Sequence, residues 1–141
     1  MEISQVRRQV RETINRAKHA SSERRARTDE AAREYDVFLS EIAIPIFRQV
    51  AAVLRAESYM FSVFTPSGSV RLMSDRSGDD YIELSLDTNN TQPQVVGHSS
   101  RSRGRRIIES EGPVKQGLVR DLTEEDVLTF VLKELEPFVE R

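Results

Sequence analysis

The chain has 141 residues, 38% of them apolar and 31% charged, with a net charge of −2 and no cysteine. That length suits one domain with a modest core, and the lack of thiols excludes disulfide scaffolds, thiolate metal centres and cysteine nucleophiles. The near-neutral total hides a split: residues 1–27 hold eight Arg or Lys against three Glu, a net +5, whereas residues 28–141 hold thirteen basic against twenty acidic, a net −7. A basic arm on an acidic body suits either an acidic partner or arm-to-body contacts between copies of the same protein.

Arg7, Arg8 and Arg11 follow Met1 closely, so no secretory signal core is expected there. No bilayer-spanning run of ~18–20 apolar residues is expected either, which makes the cytoplasm the simplest location. Ile3, Val6, Val10, Ile14 and Ala17 recur at spacings of 3, 4, 4 and 3, so residues 3–20 read as an amphipathic helix with a narrow apolar stripe. Such a helix is marginal alone and needs a partner surface. Ser21-Ser22 is compatible with a turn or with a polar stretch of one long helix, and Thr28 or Asp29 can cap a second helix. Its stripe runs Ala31, Tyr35, Phe38, Leu39, Ile42, Ile46, Val50, Val53 and Leu54, broad and strongly apolar. Pro45 interrupts it, removing one donor and clashing with the carbonyl of Glu41, so the helix either kinks there or restarts.

From Ser58 the period changes to two. Residues 60–64, Val70 with Leu72, 81–86 and 94–96 are strand candidates separated by turn-forming Pro66-Ser67-Gly68, Asp75 to Asp79, and Asn89-Asn90. Residues 98–106 carry Arg101, Arg103, Arg105 and Arg106 and read as a mobile loop or hairpin tip. Arg106-Ile107-Ile108 is a short strand candidate and Gly117-Leu118-Val119 a weaker one. Thr123 with Asp126 resembles a capping box opening a last helix, whose expected buried stripe is Val127, Leu128, Val131, Leu132, Leu135 and Val139, with Pro137 ending or bending it.

The expected fold is therefore α+β. Long N-terminal helices, as a hairpin or kinked arm of coiled-coil-like character, precede an antiparallel meander of 4–5 strands and a C-terminal amphipathic helix. Residues 1–57 form the helical arm and 58–141 the α+β unit. No cofactor or metal is expected: His19 and His98 stand apart, no glycine-rich phosphate loop or nucleophile elbow occurs, and Asp75, Asp79 and Asp80 read as a solvated turn. Glu83, beside Tyr81 on a wet sheet face, has no evident partner that would hold a catalytic pKa.

The function expected is a non-enzymatic protein–protein interaction module, adaptor- or chaperone-like, that pairs with itself through its N-terminal helices and engages a further protein. The residues assigned to that contact are Ile3, Val6, Val10, Ile14, Tyr35, Phe38 and Ile42. A nucleic-acid-binding accessory protein is the alternative, using the basic arm and phosphate contacts from Arg101, Arg103, Arg105 and Arg106. A third option is an enzyme or small-ligand domain with no local motif.

Overall fold

The computed structural model describes residues 1–90 and 92–140. It is α+β: a long N-terminal helix, a five-stranded antiparallel sheet and a C-terminal helix. Helix α1 spans Ile3–Phe38, a π-helical turn occupies Leu39–Ala43, and helix α2 spans Ile44–Ala56. No break occurs at Ser21-Ser22, and Thr28 and Asp29 lie inside α1 instead of capping a new helix. Neither serine pair nor Thr28 outweighs the helix formers around it, since mid-helix Ser and Thr cost only tenths of a kcal/mol, roughly.

Pro45 explains the π turn. It has no N–H to offer the Glu41 carbonyl, and its ring needs room on the preceding turn. The wider turn over Leu39–Ala43, with the Ile44 N–H bonded back to Leu39 O, provides that room. The chain therefore passes Pro45 without ending, and Ile3–Ala56 is helical throughout. At 1.5 Å per residue this rod is ~81 Å long. One 18-residue stretch of it reaches a mean hydropathy of 1.7, long and apolar enough by those measures to cross a membrane. The apolar part is the second half, where Ile46, Phe47, Val50, Ala51 and Leu54 are buried in this fold.

The sheet is a simple meander, β1 (Phe61–Phe64), β2 (Ser69–Ser74), β3 (Tyr81–Asp87), β4 (Gln94–Arg103) and β5 (Arg106–Pro113), paired in sequence order. Period-two alternation puts Phe61, Val70, Leu72, Ile82, Leu84 and Val95 on the helix-covered face. Helix α2 covers β1 and β2, and helix α3 (Glu124–Val139) lies against β3 and β4. Phe47, Leu72, Ile82, Leu84, Val127 and Val131 are fully enclosed between the layers. At ~1.5–3 kcal/mol for each fully buried aliphatic or aromatic side chain, this cluster is the main source of stability.

Three expectations are adjusted. Of the two readings of residues 98–106 the hairpin tip holds and the mobile loop does not: β4 and β5 run through them, and only Gly104 and Arg105 remain between the paired Arg103 and Arg106. Gly104 has a φ of +64°, as the first position of a tight two-residue hairpin turn requires. His98 consequently sits inside a strand, opposite Glu83. Leu118-Val119 leads into a 3₁₀ turn, Val119–Asp121, not a strand. In α3 the capping box forms as expected, Thr123 Oγ1 accepting from the Asp126 N–H and Asp126 from the Thr123 N–H. Its buried face, however, is Val127, Val131, Leu135 and Phe138, while Leu128 and Leu132 are exposed. The angular reason is that 127, 131 and 138 lie within ~40° of each other around the helix, whereas 128 and 132 sit ~100° or more from 127.

Candidate functional site

Two ends of the body can be told apart. At one, the Tyr35 hydroxyl donates to Gly68 O at 2.8 Å, fixing α1 beside the β1–β2 turn. The turn before α3 packs there too, where Ala31, Glu34, Leu118 and Val119 line a cleft of about 320 Å³. At the other end Arg55, near the close of α2, bonds Ser62 Oγ at 2.7 Å and Asp75 Oδ2 at 3.0 Å. The β4–β5 turn lies at this second end, since it extends past the Tyr81–Ser100 pair. The arm leaves from the first end.

From residue 1 to residue 30 no side chain is buried. Ala31 is the first buried α1 residue, and Arg27 and Glu30 already line the cleft beside it, so about 36 Å of helix, residues 3–26, stands clear of the body. Along that length Ile3 is 78% exposed, Val6 44%, Val10 51% and Ile14 46%. Arg7, Arg11, Lys18 and Arg25 follow one another at spacings of 4, 7 and 7, which places them along one flank of the apolar stripe. An unsupported helix of this kind is marginal in water, and apolar side chains at helical spacing are what a second surface covers.

The other residues assigned to partner contact lie elsewhere. Tyr35 and Phe38 are buried in the chain's own core, and Ile42 is half-buried against it. Burial is also the main reason the Tyr35 phenol titrates well above its ordinary value, with Glu83 and Asp36 adding to the shift. Of the residues assigned to partner contact, Ile3, Val6, Val10 and Ile14 are the ones left open.

Arg101 is half-buried on the helix-covered side of β4 near Pro137 and Glu140, and Arg103, Arg105 and Arg106 are exposed at the hairpin tip. They project from the end opposite the arm. One copy thus cannot present both basic features to a single nucleic-acid segment without the whole body intervening.

Sequence reasoning missed what the register assembles on the open sheet face. Arg71 pairs with Glu83 through Nε at 2.6 Å and through Nη2. Its guanidinium lies 4.1 Å over the Tyr81 ring, and Tyr81 stacks obliquely on His98 with centroids 5.6 Å apart. His98 Nε2 is shielded and lies 3.6 Å from Glu109 Oε1, too far for a hydrogen bond. These are cross-strand neighbours on adjacent rows, the usual unit of sheet stabilisation. Glu83 is occupied by Arg71, which suits a structural ion pair better than a free base. Among the described residues no group of three His, Cys, Asp or Glu is placed to hold a metal ion. No signal short of the strand pairing itself could have joined Arg71, Tyr81, Glu83 and His98.

In the acidic turn Asp75 and Asp79 are exposed as expected, and Asp80 is not. Asp80 is buried, its Oδ1 accepting from the Ser102 N–H at 2.7 Å and from Ser102 Oγ at 3.1 Å. Asp75 accepts from Ser62 Oγ at 2.6 Å, and this bond, with Arg55, holds its carboxyl below the ordinary value. Both carboxylates thus serve as structural acceptors that tie strands together. Comparison with known protein families, curated proteins and solved structures yields no match for this chain.

Proposed function

We propose that this protein is a non-enzymatic protein–protein interaction module that self-associates through its N-terminal helix. The observation that carries the reading is the bare rod of residues 3–26, with Ile3, Val6, Val10 and Ile14 aligned and exposed along it. Covering such a stripe removes apolar area from water at ~25 cal/mol per Å², a gain available only from another molecule when the helix is continuous. The opposed charges of arm and body favour a second copy as that molecule.

Size-exclusion chromatography with light scattering tests the reading. Wild type is a dimer at micromolar concentration, and Val10→Glu with Ile14→Glu makes it monomeric while the far-ultraviolet spectrum of the body persists. A wild type that is monomeric throughout the micromolar range overturns it. The nucleic-acid alternative draws on the basic flank of the arm and predicts binding that falls steeply with salt. Lack of any shift with unspecific DNA or RNA at low salt removes that alternative.

A further inference from the structure

Helix α3 carries a further apolar pair that helical spacing aligns in the open: Leu128 is 36% exposed and Leu132 52%. Glu125 and Glu136 stand on the same face, before and after them, so the series Glu125, Leu128, Leu132, Glu136 has spacings of 3, 4 and 4. The arm holds a series of the same spacing and opposite charge: Arg7, Val10, Ile14, Lys18. Each set falls within ~80° of helix circumference, so each presents two apolar side chains between two like charges. Both sets are exposed throughout.

We infer that the Glu125–Leu128–Leu132–Glu136 face of α3 is the seat for the arm of a second copy of this chain. The arm cannot reach its own α3. Ile14 lies ~25 Å along an unbroken helix from Ala31, the first buried residue of α1. A second copy supplies what one copy lacks, and reciprocal exchange gives two equal contacts related by a two-fold axis. Direction follows from the fold. The turn before α3 packs on α1 near Ala31, and Phe138 near its close packs edge-on against Phe61 at the far end, so α3 runs the same way as α1 and α2. A two-fold pairing then lays the incoming arm antiparallel to α3, bringing Val10 and Ile14 over Leu132 and Leu128 with Arg7 near Glu136 and Lys18 near Glu125. Antiparallel helices also oppose their dipoles favourably.

This assignment builds on the self-association reading, and the test separates the two. Light scattering and sedimentation are run on wild type, on Leu128→Gln with Leu132→Gln, on Glu125→Lys with Glu136→Lys, and on the latter combined with Arg7→Glu and Lys18→Glu. All of these positions are exposed, and circular dichroism checks that each variant keeps its helices. Both α3 variants weaken the dimer about 100-fold or more, as loss of central contacts does, and the combined charge swap restores it. Dimers of both α3 variants as tight as wild type, beside monomeric Val10→Glu with Ile14→Glu, overturn the α3 seat and leave self-association standing. A charge swap that fails to restore the dimer overturns the Arg7 and Lys18 pairing, and a monomeric wild type removes both readings.

Discussion

Gly97 offers the sharpest check on how α3 is seated, and hence on which of its faces is free. An ideal Cβ built on Gly97 falls 1.9 Å from Phe130 Cζ, and 2.4 Å and 2.6 Å from the two Cε atoms. Ordinary carbon contacts begin near ~3.5 Å, so the ring must retreat ~1.6 Å or the helix must lift off the sheet. Phe130 is half-buried, so it gives some way at the expense of its packing on β4. Overpacking of this kind costs ~1–3 kcal/mol. For a chain of this size Gly97→Ala should therefore lower Tm by about 3–10 °C. The neighbouring strand supplies the control. Gly112 pairs directly with Gly97 and shares its face, yet a Cβ there meets nothing within 4 Å. Gly112→Ala should stay within ~0.5 kcal/mol of wild type. Thermal and urea unfolding measure both, and a cycle with Phe130→Ala should abolish the Gly97→Ala penalty. If Gly97→Ala unfolds within a degree of wild type, Phe130 does not sit over β4, and the outward placing of Leu128 and Leu132 loses its support.

Two titration predictions follow from buried or bonded groups. The Tyr35 phenol is raised above its ordinary value of 10.0, so its contribution is complete below that value and declines as pH rises beyond it. Tyr35→Phe, which removes the bond to Gly68 O, should cost ~0.5–1.5 kcal/mol at neutral pH and flatten the alkaline decline in urea midpoint; an unchanged decline counts against Tyr35 as its source. Asp75 and Asp126 lie below their ordinary value of 3.8, through Ser62 and Arg55 for the first and Thr123 and Lys115 for the second. Their stabilisation is complete above that value and is lost as pH falls below it, so the unfolding midpoint should drop in that acid range and drop less in Asp75→Asn.

Helical stripes and alternating strands were open to reading wherever burial is one-sided. Tyr35 to Leu54 marks a helix because Tyr35, Phe38, Ile46, Val50 and Leu54 of its stripe enter one core, although Val53 of the expected stripe is exposed. Tyr81 to Leu86 marks a strand because Ile82, Leu84 and Leu86 alone face inward. The capping box at Thr123 is local chemistry and needed no tertiary knowledge. Residues 97–103 defeated the same reasoning. Gly97 is small to admit Phe130, Ser99 faces inward to donate to Glu134 at 3.0 Å, and His98, Ser100 and Ser102 are polar on the other side. A strand polar on both faces has no period to detect.

From its residue order alone the chain settles its α+β class, the helical N-terminal region, the meander and the last helix, because each depends on neighbours within a few residues. Tertiary structure alone decides the rest. It carries the helix across Pro45 on a π turn, buries Tyr35 and Phe38 while leaving Ile3 to Ile14 bare, and sends the arm and the arginine hairpin to opposite ends. It also turns Leu128 and Leu132 outward, since which arc of an amphipathic helix is covered depends on the surface it meets, and that surface is built from strands far away in the chain.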